Sequence, residues 1–195
     1  MSTTRLEAFS DGVVAILITI MVLELKVPHG TAWATIAPTI FTLLLYLMSF
    51  VFLGIYWTNH HHMFHATAHV SGGVLWANLH LLFWLSLVPF ATAWMGENHF
   101  TALPTAIYGV VLLAAAIAYY ILQTLIIRQE GPHSKLAEAV GRDFKGKISP
   151  VLYIAAIVLA FVQPLIADGI YAFVALMWLV PDRRIETRLA RESSH

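Results

Sequence analysis

The 195 residues are 59% hydrophobic and only 11% charged, and their mean hydropathy is +0.75. Soluble domains carry roughly 25% charged residues, so the composition excludes a soluble fold and points to an all-α integral membrane protein. Eleven Lys and Arg balance eleven Asp and Glu, and cysteine is absent, which excludes disulfides, thiolate metal sites and a cysteine nucleophile.

The first apolar stretch, Arg5 to Lys26, reads RLEAFSDGVVAILITIMVLELK. At about 1.5 Å per residue it is long enough to cross the roughly 30 Å hydrocarbon layer. It resembles a signal peptide only briefly, because Asp11 interrupts it and no small-residue cleavage site follows Leu23. Turning each residue by about 100° gathers Phe9, Gly12, Ile16, Thr19, Ile20 and Leu23 on one stripe and swings Asp11 about 140° away from Ile16. One face is aliphatic with a single hydroxyl. The opposed face carries a carboxylate, which at that depth needs a partner or water. The same spacing suits a buried helix whose Asp11 holds a structural bond, and by itself it reveals no pore.

A second apolar run goes from Ala34 to Trp57, with Pro38 in its first turn, and ends in TNHHHMFH. A third spans Val70 to Trp94, with Asn78 and His80 inside it and Pro89 as a kink. The fourth is Pro104 to Ile127. A polar segment, residues 129–147, then has the makings of a short interfacial helix. The fifth run extends from Ile148 to Ala167 and is closed by a tight turn at Asp168-Gly169. The sixth, Ile170 to Val180, is short for a crossing. The tail, residues 182–195, is charged, and nothing marks a second domain within 1–195.

Six crossings put both termini on one side. That side then holds Arg5, Arg128, Lys135, Arg142, Lys145, Lys147, Arg183, Arg184, Arg188 and Arg191, leaving Lys26 alone on the other. By the positive-inside rule both termini are cytoplasmic.

Few constellations point to chemistry. His61 and His65 have the four-residue spacing of two metal ligands on one helix face, but no HExxH motif and no nearby acidic residue completes a site. A structural or pH-sensitive hydrogen-bonding role suits the cluster better. His80 lacks a second axial ligand for haem. Glu24 pairs naturally with Lys26, with a cation-attracting place at a pore mouth as the alternative, and Asp168 reads as a helix cap. No nucleotide loop, serine triad or paired-carboxylate site is present, so neither an enzyme, a cofactor nor a nucleic-acid partner is expected.

The run Arg5-x-x-x-Phe9-Ser10-Asp11-Gly12, followed by VVAILITIMVLEL, resembles the signature of the transmembrane protein 175 family, the endosomal and lysosomal potassium channels and their prokaryotic homologues. Tyr56-Trp57-x-x-His60-His61-x-x-Phe64 is similar to the end of that family's second span. The resemblance implies a potassium-permeable cation channel without a carbonyl filter, placed in a prokaryotic inner (plasma) membrane. Animal members carry two six-span repeats per chain and this sequence has one, which implies a homotetramer. The resemblance further implies that the first helices line the pore, with Ile16 at the constriction, Thr19 and Ile20 around it and Leu23 one turn outward. It suggests that Asp11 joins Arg5, Trp57 and a second-span histidine, His60 or His61, in a polar network. The expected partners are thus further copies of the chain, membrane lipid and potassium ions. The competing reading is a proton-coupled transporter using Asp11 and the histidines as a relay; it lacks the inverted repeat or broken helices such transporters show.

Overall fold

The computed structural model describes residues 3–30, 32–141 and 143–179. Among them the chain forms eight helices and no strand: α1 (Thr3–Leu23), α2 (Trp33–His65), α3 (Gly72–Ser86), α4 (Val88–Glu97), α5 (Ala102–Glu130), α6 (Lys135–Val140), α7 (Phe144–Ala160) and α8 (Pro164–Leu179). Four described stretches are long and apolar enough to cross a membrane: α1, Thr39–His65 within α2, Gly72–Glu97 spanning α3 and α4, and α5.

Helix α5 is the trunk of the bundle. It packs most extensively against α7 and α3, and also touches α4 and α8. Tyr108, Leu112, Ala115, Ala118, Leu122 and Ile126 are fully buried along it. Ala156 and Ala160 on α7 are equally buried. Small side chains let helix axes approach closely, which matters where lipid rather than water is the alternative neighbour. The closest approach is at Gly109, where a Cβ would collide with the Tyr171 hydroxyl and stand 2.8 Å from both Tyr171 Cζ and Ile157 Cγ1. Through that gap Tyr171 Oη reaches the Thr105 carbonyl at 3.2 Å.

Two further devices tie α2 into this frame. In the core, the Thr92 hydroxyl donates to Ser49 Oγ at 2.8 Å, and Ser49 Oγ shares a hydrogen bond of 2.9 Å with Tyr108 Oη, linking α4, α2 and α5. At the end of α5, Glu130 Oε1 accepts the backbone N–H groups of Ala68 and His69, at 3.1 and 3.2 Å, and Gln129 Nε2 donates to the His69 carbonyl at 2.6 Å. The turn between α2 and α3 is thereby clamped. Ser71 then caps α3, its Oγ accepting from Val74 N at 3.4 Å.

Several boundaries differ from those expected of the sequence. Helix α2 does not stop at Trp57 but runs through the histidines to His65, and its start at Trp33 puts Pro38 in the second turn. The third run breaks at Leu87, with Pro89 in the first turn of α4. The interfacial helix is short, Lys135–Val140, and α7 already begins at Phe144, within the segment read as polar. Asp168-Gly169 forms no turn. Both residues lie inside α8, and the chain reverses instead at Phe161–Gln163, just before Pro164. Proline at a first helical position loses no hydrogen bond, so Pro164 opens the helix and Asp168 falls in its second turn. The Asp168 carboxylate oxygens are buried and find no hydrogen-bond partner among the described residues. The charged tail from residue 182, with Arg183, Arg184, Arg188 and Arg191, and the loop residue Arg142 lie outside the described residues.

Candidate functional site

The 3.6-residue period divides α1 into two faces with opposite fates. Leu6, Ser10, Val14, Leu17 and Met21 recur every three or four residues and are buried against the bundle. Phe9, Ile16, Ile20 and Leu23 lie on the other side, with relative exposures of 52%, 58%, 41% and 80%. Thr19 shares that exposed side, and its hydroxyl donates to the Ile16 carbonyl at 2.8 Å. The donor is thus used within the helix, while the oxygen lone pairs stay available to whatever faces the stripe.

Behind the stripe stands a chain of buried polar groups. The Ser10 hydroxyl donates to the Leu6 carbonyl at 2.9 Å. Asn78 Nδ2 of α3 donates to Ser10 Oγ at 3.0 Å, and Asn78 Oδ1 shares a 2.7 Å hydrogen bond with His60 Nε2 of α2. The three side chains are almost wholly removed from solvent, at 1%, 0% and 5% exposure. One asparagine, with a donor and an acceptor on one planar group, therefore joins three helices. The cost of stranding any member in an apolar interior makes the joint specific.

A second set of contacts runs along the edge between α1 and α2. Trp57 Nε1 donates to Asp11 Oδ1 at 2.9 Å, and one turn further His61 Nδ1 stands 3.6 Å from Glu7 Oε1. Glu7 and Asp11 are four apart on α1, as Trp57 and His61 are on α2, so two antiparallel helices meet in matched rungs. The Trp57 and His61 rings stack at 6.5 Å between centroids, and His61 and His65 at 6.1 Å, which extends the ladder on α2. This edge is half-open, unlike the Asn78 joint.

The residues expected to act together are brought together unequally. Asp11 and Trp57 are bonded; His60 turns inward to Asn78, whereas His61 turns outward to Glu7. Arg5 is exposed and makes no hydrogen bond or ion pair with another described residue, so within one chain it stands apart from the network. Phe9 is exposed beside the stripe. Of the cluster, His60 is buried while His61, His62 and His65 are exposed, and no group of three or more His, Cys, Asp or Glu among the described residues is placed to hold a metal ion. Asn78 and Glu7 were not singled out from the sequence as partners. An amide in the middle of an apolar run carries a high burial cost, which is itself a signal that it is hydrogen-bonded. Glu7 could have been found from its four-residue offset to Asp11.

At the other end of α1, Lys26 Nζ pairs with Glu97 Oε1 at 2.6 Å across a pocket of about 260 Å³ between α1, α2 and α4. The hydrogen bond to Glu97, aided by its charge, holds the Lys26 amine above its ordinary range.

Comparisons with known proteins follow the same arrangement. Residues 5–89, which contain α1, the histidines of α2 and Asn78, match the sequence profile of the family described as endosomal/lysosomal potassium channel TMEM175. A potassium channel of Chryseobacterium sp. (strain P1-3) is 56% identical over 189 residues, spanning 97% of this chain and 98% of that one. A potassium channel of Chamaesiphon minutus is 30% identical over 190 residues, spanning 89% and 92%. The crystal structure of a lysosomal potassium-selective channel TMEM175 homolog from Chamaesiphon minutus matches with a TM-score of 0.77 at 29% identity, over 91% of this chain and 96% of that one. At that identity and coverage, with the helical architecture matched as well, this chain belongs to the TMEM175 family.

Proposed function

We propose that the chain is one subunit of a homotetrameric potassium channel in a prokaryotic plasma membrane, with α1 of each copy lining the pore. Family membership supports the potassium channel. The observation that carries the pore assignment is the exposed stripe of Ile16, Thr19, Ile20 and Leu23 on a helix whose other face is fixed to the bundle. A single helix cannot enclose a channel, so several copies must bring that stripe around an axis. In this reading α3 and α4 form one broken crossing, and α7 and α8 are the fifth and sixth. Of these, α7, at about 1.5 Å per residue, is shorter than the hydrocarbon layer and accommodates it by local thinning or by borrowing flanking residues. Both termini face the cytoplasm, as the Lys and Arg count requires.

The mechanism then follows from side-chain chemistry. A ring of Ile16 side chains offers an ion no oxygen to replace its water, so a narrow ring closes by dewetting and a wider one conducts. Selection rests on the cost of shedding water, which is lower for potassium than for sodium. The Asn78 joint and the Asp11–Trp57 rung set how far each α1 stands from the axis, and thereby the diameter of the ring. Arg5, without a partner among the described residues, is available to a neighbouring copy or to lipid headgroups.

Potassium flux from liposomes containing only this protein tests the function, and native mass measurement tests the assembly. A potassium-driven flux and a four-chain mass are expected. A monomer or dimer at every concentration would remove the pore model.

A further inference from the structure

Away from α1, the helices α2, α5, α7 and α8 enclose a crevice with about 50 Å³ of interior space, room for roughly three or four water molecules. Its walls are largely aromatic: Tyr56 and Tyr119 meet edge to face at 6.0 Å, and Phe52, Tyr120, Tyr153 and Trp178 also line it. The Trp178 indole is fixed by donating to Ser149 Oγ at 2.9 Å. Several of its polar groups have an oxygen free to accept. Asn59 spends its Nδ2 on the Ile55 carbonyl at 2.9 Å, which leaves Oδ1 free to accept. Asp143 caps α7 with Oδ1, which takes the Gly146 N–H at 2.9 Å, and its other oxygen is unused among the described residues. Gln123 is only 7% exposed, lines the crevice, and its amide has no hydrogen-bond partner among the described residues. That amide opens onto the space and is free to bond whatever fills it. No Lys, Arg or His lines the space among the described residues.

We propose that this crevice is a binding site for a small alkylammonium ion of the size of trimethylammonium. Aromatic faces attract a cation through the ring quadrupole, most strongly when it is desolvated. Its single N–H is accepted by one of the oxygens of Gln123, Asn59 and Asp143, and the others face its partly positive methyl groups. An inorganic ion would prefer a full oxygen shell, which a largely aromatic wall does not supply, whereas methyl groups pack against those rings. The size matches, since trimethylammonium has about four heavy atoms and each water needs about 10–15 Å³ of such space. The site is separate from the α1 stripe and does not rest on the channel reading.

The test is calorimetric titration of trimethylammonium chloride into the full chain in lipid nanodiscs, with 2-propanol, a branched alcohol of four heavy atoms, as the neutral comparison and potassium chloride as the ionic-strength control. Saturable binding of one cation per chain is expected, with none of the alcohol. Asp143→Asn keeps a residue that can cap α7 and removes the charge, and Trp178→Leu removes a ring. Each is expected to weaken binding by roughly three- to thirtyfold, the range a cation–aromatic contact spans. Gln123→Leu is expected to weaken it as well, with helix content by circular dichroism showing that the fold is kept. Absence of saturation, equal binding of the alcohol, or unchanged affinity in Asp143→Asn and Trp178→Leu overturns the site. Potassium flux is not the readout, so none of these results bears on the pore.

Discussion

The α1–α2 pair and the trunk around α5 are both helical and apolar, yet they treat their surfaces differently. In the most apolar window of each, 28% of α1 and 22% of α2 are buried, against 50% for the α3–α4 stretch and 39% for α5. The trunk is closed by small residues and hydroxyls buried within one chain. The pair is held by a buried polar joint on one side and leaves aliphatic side chains uncovered on the other. Equal hydropathy thus says nothing of what a face meets. Burial and polar anchoring do, and they separate a structural helix from one that must find its remaining partners outside the chain.

The sharpest way to break that comparison is Asn78→Ala. It leaves His60 and Ser10 without their shared partner inside the core, at a cost of roughly 1–3 kcal/mol per stranded group. A large loss of thermal stability and of monodisperse protein is expected, and unchanged melting would show that the joint does not hold α1. Next come two substitutions one residue apart. Leu17, buried at 6% exposure, faces the trunk, and Ile16, at 58%, faces away. Leu17→Asn should fold poorly, since burying an unpaired amide costs about 1–3 kcal/mol on top of lost packing. Ile16→Asn should fold normally, keep the pore wet, raise closed-state leak and weaken the preference for potassium over sodium. Identical flux in wild type and Ile16→Asn would take Ile16 out of the gate.

Smaller still is Trp57→Phe, which keeps a ring against His61 but leaves Asp11 without its 2.9 Å donor. Because this edge is half-open, water replaces the bond in part, and a loss of about 1 kcal/mol in unfolding experiments is expected. A loss as large as that of Asn78→Ala would mean that the edge, and not the buried joint, carries the attachment. The smallest effect is expected of Lys26→Met. The pair with Glu97 is exposed on both sides, so the melting temperature should not move measurably at neutral pH. A raised lysine pKa favours folding below its ordinary value of 10.5 and ceases to do so as pH climbs through the folded-state value. Any difference between the two proteins should therefore fade only in strong alkali.

Much of this was legible in the sequence, for reasons that particular residues make plain. The grouping of Ile16, Ile20 and Leu23 on one stripe of α1 followed from the helical period, but which face stays uncovered did not, because Val14, Leu17 and Met21 on the other face are equally apolar. The Asp11–Trp57 contact came from the resemblance, not from spacing, since no periodicity links residues on two helices. The turn before α8 was misplaced because Asp-Gly is a strong local turn signal, whereas Phe161–Gln163 carries none except the proline that follows. Within α8 the same Asp168 and Gly169 sit in the second helical turn, where tertiary packing outweighs local preference. Arg5 shows the opposite case: a motif residue with no partner among the described residues of one chain.

The Gly109–Tyr171 contact has a consequence for how this chain can change over generations. Alanine at 109 collides with the tyrosine hydroxyl, and trimming Tyr171 to Phe still leaves Cζ at 2.8 Å, with Ile157 Cγ1 as near on the other side. Neither replacement opens the gap alone, and Tyr171→Phe also forfeits the bond to the Thr105 carbonyl. A lineage that departs from glycine here has to alter two positions on α7 and α8 first, each at a loss. The spot is therefore a trap in sequence space, easily kept and hard to leave by single steps.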